Sequence, residues 1–143
     1  MPIRNAHARW EGSLKGGKGK VEFGNGAFEG PYSFGSRFES GAGTNPEELL
    51  GAAHASCFAM ALSLVLGNAG FEPDYVDATA HVTVLPRDGG FKITRSHLVC
   101  EARVPGMDQS TFVQHAENAK VHCPVSQALA GTEITLEAKL AAQ

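Results

Sequence analysis

Three cysteines, Cys57, Cys100 and Cys123, carry the most nucleophilic groups in the chain. A thiolate attacks electrophilic carbon, sulfur or peroxide oxygen, whereas a thiol at its ordinary pKa is mostly protonated and inert at neutral pH. Each cysteine is therefore judged by what would stabilise its anion. Cys57 lies within the apolar run TNPEELLGAAHASCFAMALSLVLG, from Thr44 to Gly67. It reads either as a small core residue or as a nucleophile that needs a cation beside it, because the helix dipole fades after the first turn. Cys123 precedes Pro124 and falls at the N-cap of a short helix, where the dipole favours a thiolate; an ordinary buried cap residue is the open alternative. Cys100 alternates with Leu98 and Ala102 along a strand face and reads as packing.

Other side chains offer partners for these thiols. His54 precedes Cys57 by one helical turn, the spacing of a Cys–His nucleophile or a metal pair. His115 and His122 do not share that spacing and no third ligand is evident, so a core or solvated histidine is the simpler reading. A cysteine hydrolase using His54 lacks an orienting acid and an oxyanion-hole motif. His7, His81 and His97 fall on strand surfaces. Arg37, in the run SRFE, is either a surface charge or a cation that the following glycine-rich connection folds back over the helix. Glu47 complements the helix dipole. Ten residues of helix span about 15 Å, so a site shared by Glu47 and Cys57 requires Glu47 from a partner subunit.

The elements that must position these groups are legible in outline. HARWEG, GKVEF and PYSFGSRFE are short strand-like runs separated by glycine-rich turns, a small antiparallel meander with Trp10, Phe23 and Phe34 facing inward. A long helix follows, with Asn45 as cap, Pro46 at its first position and Glu48 three residues past the cap. Leu49, Leu50, Ala53, Cys57, Ala61 and Leu64 form one apolar face, but Phe58, Leu62 and Val65 lie opposite, so the helix must be covered nearly all round. Two longer strands span 76–85 and 91–104, with Leu98, Cys100, Ala102 and Val104 on one face. A helix capped by Asp108 or Ser110 runs through Lys120, a short one covers 125–130, and a strand closes the chain over 133–139. The pattern is α+β in one domain, residues 1–143, with helices packed on antiparallel sheet.

Composition excludes several function classes. The chain has 143 residues, 12 basic and 15 acidic, and a formal charge of −3 without a basic run. That is a poor basis for binding nucleic acid. No CxxC occurs, and GKGK near Lys18 lacks phosphate-loop spacing. The apolar helix is interrupted by His54, Ser56 and Ser63 and reads as a core helix and not a membrane span. An odd number of cysteines and the absence of a signal-peptide pattern point to a reducing compartment, the cytoplasm.

Taken together, GTNPEELLGAAHASCFAMALSL and HCPVSQAL resemble the osmotically inducible protein C/organic hydroperoxide resistance family of thiol peroxidases. HARWEG, SRFE, VPGMDQSTF and EITLEAKL extend the likeness over essentially the whole chain, closer to the osmotically inducible branch. The resemblance implies a fold of antiparallel sheets wrapped around a long central helix, in an intertwined homodimer. It implies reduction of organic hydroperoxides, and more weakly hydrogen peroxide, in oxidative and osmotic stress defence. Cys57 would be the peroxidatic cysteine, oxidised to a sulfenic acid, and Cys123 the resolving cysteine that forms a disulfide with it. Arg37, held by Glu47, would stabilise the Cys57 thiolate and polarise the peroxide; the sister branch draws its arginine from an earlier segment, which makes Arg9 the alternative. No metal or organic cofactor is implied. The reductant would be a dithiol, often a lipoylated protein. The competing reading from another class is a non-enzymatic dimer that holds a hydrophobic ligand and has inert cysteines.

Overall fold

The computed structural model describes residues 1–142. The chain divides into two compact units between Leu49 and Leu50. The first unit is built on a three-stranded antiparallel meander, β1 (Ala6–Glu11), β2 (Lys18–Phe23) and β3 (Glu29–Tyr32), in that spatial order. Gly19 on β2 lets Trp10 and Tyr32 approach across the sheet, with ring centroids 5.4 Å apart. A Cβ there would fall 2.5 Å from the Tyr32 ring and 2.7 Å from Trp10. Trp10 is half-buried as expected, but Phe23 is exposed.

The segment after β3 departs from the strand expected of it. Residues Phe34–Phe38 form a short helix, α1. Ser33 and Ser36 cap it reciprocally: the Ser36 amide donates to the Ser33 hydroxyl at 3.1 Å, and the Ser33 amide donates to the Ser36 hydroxyl at 2.8 Å. This capping box satisfies two amides that a strand would have paired, so local side-chain chemistry overrides the aromatic alternation.

The long helix α2 (Pro46–Asn68) starts where expected, with the Glu48 amide donating to Asn45 Oδ1 at 2.7 Å. In the second unit it is joined by β4 (Tyr75–Arg87), β5 (Gly90–Arg103), α3 (Gln109–His122), α4 (Pro124–Ala128) and β6 (Glu133–Leu140). β4 and β5 pair antiparallel through a tight turn in which Asp88 and Gly89 both take positive φ, 50° and 79°. β6 adds to the far edge of β5, and this pair is parallel, a departure from the all-antiparallel sheet expected. The reason is topological: a parallel neighbour needs a crossover, and α3 and α4 supply it. Asp108 caps α3, accepting from the Thr111 amide at 3.1 Å.

Phe58, Leu62 and Leu66 of α2 form one core with Leu98, Cys100, Ala102 and Val104 from β5, and Phe112, Ala116 and Ala119 from α3. Burying each large apolar side chain contributes roughly 1.5–3 kcal/mol. The buried face of α2 is therefore Gly51, His54, Phe58, Leu62 and Leu66, not the face through Ala53 and Leu64 expected from the sequence. Leu64 is 66% exposed and Met60 76%. Where a helix is apolar all round, periodicity cannot choose the inner face. The helix is long and apolar enough to cross a membrane; one face of it, through Phe58, Leu62 and Leu66, packs into the core of the second unit.

Candidate active site

The second unit brings Cys57 and Cys123 together. Cys123 is the joint between α3 and α4: its amide donates to the Ala119 carbonyl at 2.9 Å, and its carbonyl accepts from the Gln127 amide at 3.1 Å. Pro124 ends α3 here, because the residue before a proline is driven out of the helical region; Cys123 has ψ 123°. Cys123 thus stands at the N-cap of α4, fully buried, and its side chain makes no capping bond. Instead the Cys123 thiol is a neighbour of the Cys57 thiol, close enough to raise its pKa. Pro124 has no N–H to offer, and the next amide, that of Val125, lies near enough to Cys57 to lower its pKa.

Electrostatics at Cys57 follow from this setting. Burial pushes its thiol pKa up, and the Cys123 thiol pushes it further, while the Val125 amide pulls it down. None of these groups is positively charged, and the thiol pKa stands above its ordinary value. Cys100 is the packing residue the sequence suggests: it is buried, and burial, then Asp77 and Glu101, push its thiol up to about 12.

His54 is a core histidine. It has no solvent exposure, and both ring nitrogens are used: Nδ1 lies 2.7 Å from Ser96 Oγ on β5 and Nε2 lies 2.8 Å from Ser126 Oγ on α4. Burial lowers its pKa, which keeps the ring neutral. One nitrogen then donates and the other accepts, and the two serine hydroxyls can satisfy either tautomer. Among the described residues no buried side-chain polar atom lacks a partner, and no group of three or more His, Cys, Asp or Glu is arranged to hold a metal ion.

The first unit holds a separate ion pair. Arg37, on α1, meets Glu47, in the first turn of α2. Arg37 Nε lies 3.0 and 3.2 Å from the two carboxylate oxygens, and the other contacting nitrogen lies 2.9 Å from Oε1. Glu47 is buried and the Arg37 side chain is one-third exposed. Local structure aims this arginine. The Ser36 hydroxyl donates to the Thr44 carbonyl at 2.7 Å and Asn45 Nδ2 donates to the Ser36 carbonyl at 3.1 Å, tying α1 to the residues that open α2. The guanidinium also lies over the Phe38 ring, 5.1 Å from its centroid. Arg9 does not compete for Glu47; it is exposed on β1 and pairs with Glu11 at 3.3 Å.

Sequence reasoning missed three groups: Ser96, Ser126 and the Val125 amide. Ser96 carried a signal, because it places a hydroxyl on the strand face otherwise formed by Leu98, Cys100, Ala102 and Val104. A polar residue on a buried face needs a buried partner.

Comparison with known proteins identifies the relatives of this chain. Residues 39–139 match the family model described as OsmC-like protein. The chain is 52% identical over 138 residues to Peroxiredoxin OsmC of Escherichia coli K12, covering 96% of both chains. It is 36% identical over 100 residues to an organic hydroperoxide resistance protein of Xanthomonas axonopodis, covering 67% of each. Among solved structures, that of the organic hydroperoxide resistance protein OhrB of Bacillus subtilis superimposes with a TM-score of 0.72 at 25% identity, over 96% of this chain and 98% of that one.

Proposed function

The chain belongs to the OsmC-like protein family, and on that premise we propose that it is a thiol peroxidase that reduces organic hydroperoxides in stress defence. The Cys57 thiolate attacks the terminal oxygen of R–O–OH. The O–O bond breaks, the alkoxide takes a proton and leaves as the alcohol, and Cys57 becomes a sulfenic acid. The Cys123 sulfur then attacks the Cys57 sulfur, forming the disulfide and releasing the hydroxyl as water. A dithiol, such as a lipoylated protein, restores both thiols by exchange.

What supports this reading most is that the Cys57 and Cys123 thiols are neighbours, with the Val125 amide beside them. The two cysteines lie 66 positions apart in the sequence and are neighbours in the fold. The apolar neighbours of Cys57 suit an alkyl substituent on the peroxide. They also shield the sulfenic acid from water-borne oxidants.

The thiolate needs a cation, and Arg37 is the proposed source. Arg37 is held by Glu47 of its own chain, and Glu47 is separated from Cys57 by about 15 Å of helix. The pair therefore serves the Cys57 of a second subunit, and the functional unit is a homodimer with two composite sites. The exposed Met60 and Leu64 on α2 are the kind of surface such a dimer would cover. The cytoplasm, where thiols are kept reduced, is the proposed compartment.

The test is peroxide consumption with a dithiol. Cys57→Ser abolishes turnover; a fully active Cys57→Ser enzyme rules the mechanism out. Cys123→Ser lets Cys57 react once and then stalls it as a sulfenic or sulfinic acid.

A further inference from the structure

We propose that His54 is the positioning residue of the thiol pair: through Ser126 it fixes α4 against α2 and so sets how fast Cys123 captures the oxidised Cys57. The inference rests on the peroxidase reading above.

Three observations support it. First, the register is matched. His54 precedes Cys57 by one turn of α2, and Ser126 follows Cys123 by one turn of α4. The His54–Ser126 hydrogen bond, 2.8 Å, therefore runs beside the thiol–thiol contact and ties the same two helices. Second, α4 has only five residues and no side-chain cap, so it cannot hold its own place by helix propensity. Two of its interactions with α2 fall on the Cys57 thiol, those of the Cys123 thiol and the Val125 amide. Both must change when that sulfur takes up oxygen and again when it enters a disulfide. The bond to His54 does not involve the reacting atom, so it persists through the cycle. Third, the ring itself is pinned. Nδ1 bonds Ser96 on β5 at 2.7 Å, and both serines and the imidazole are buried. A core that needed only volume would use an apolar side chain there, avoiding three buried polar groups.

The role is geometric. His54 neither gives nor takes a proton in the step; sulfenic acid plus thiol yields disulfide plus water. What His54 supplies is the approach of the Cys123 sulfur, and misplacing a reacting atom by an ångström is enough to slow a step severely.

The experiment separates the two half-reactions. Reduced full-length protein is mixed with one equivalent of tert-butyl hydroperoxide and quenched at intervals. Cys57 sulfenic acid is trapped with dimedone, and the disulfide is quantified by peptide mapping. In Ser126→Ala, oxidation of Cys57 stays within about twofold of wild type while disulfide formation slows on the order of tenfold, the effect of one lost buried hydrogen bond. Excess peroxide then drives Cys57 to sulfinic acid. His54→Asn, whose amide reaches only as far as Nδ1, behaves like Ser126→Ala. His54→Gln, whose amide reaches the Nε2 position, recovers most of the wild-type rate. A purely structural histidine would instead slow both steps together. That result, or wild-type disulfide formation in both Ser126→Ala and His54→Asn, overturns the inference. A wild-type protein that forms no Cys57–Cys123 disulfide overturns the peroxidase mechanism itself, and this inference with it.

Discussion

Replacing His54 by phenylalanine tests the buried polar triad directly. Phenylalanine fills a similar space but offers no nitrogen, so the Ser96 and Ser126 hydroxyls, 1% and 5% exposed, are left in the core without their partner. Each stranded hydroxyl costs about 1–3 kcal/mol, so His54→Phe should destabilise by about 2–6 kcal/mol. The triple variant His54→Phe, Ser96→Ala, Ser126→Ala removes the stranded groups as well. Replacing every member of a polar network by apolar groups is close to neutral, so the triple variant should recover most of the loss. Urea unfolding at one fixed protein concentration measures both. The wild type should also show a pH signature. The His54 pKa is lowered from 6.5 in the folded state. The unfolded chain therefore binds a proton that the folded one refuses as the pH drops below about 6.5. Stability from this source is complete above that value and is lost as the pH falls through the folded pKa; the His54→Phe variant lacks this component. A His54→Phe variant within about 0.5 kcal/mol of wild type would refute the reasoning, because that is the size of an ordinary surface change.

Arg37→Gln should move the pH profile of Cys57 alkylation upward by about 1–2 units, since a neighbouring guanidinium lowers an acid's pKa by that order; an unchanged profile removes Arg37 from the site. Met60→Glu combined with Leu64→Glu should convert a dimer to monomer in sedimentation and reduce activity with it, because both side chains are exposed on α2; a dimer that tolerates both charges is formed by another surface. Cys100→Ser should keep peroxide turnover within about twofold, since a thiol pushed up to about 12 is not a nucleophile near neutral pH; loss of turnover in a folded variant would give Cys100 a chemical role.

The fold was legible where local rules and burial agree. Asn45, Pro46 and Glu48 marked the start of α2, and alternation through Leu98, Cys100, Ala102 and Val104 marked the inner face of β5. Two features were not. The capping box of Ser33 and Ser36 turned a strand-like aromatic run into α1, and this turn aims Arg37 at Glu47. The inner face of α2 was ambiguous because the helix is apolar on every side, and tertiary packing decided it in favour of Phe58, Leu62 and Leu66. Of the candidate site, the thiols and the Arg37–Glu47 pair were suggested by residue type and by family likeness. The serines did not: a hydroxyl has no chemistry that singles it out, and its meaning depends on the histidine that long-range contacts bring to it.

The central claim is that Cys57 and Cys123 form one redox couple. The most direct measurement is the disulfide map of the wild-type protein after one equivalent of an alkyl hydroperoxide, with one alcohol released per disulfide formed. The account predicts a single linkage, Cys57 to Cys123, with Cys100 still a free thiol. A linkage through Cys100, or oxidation of Cys57 that never leads to a bond with Cys123, would contradict it.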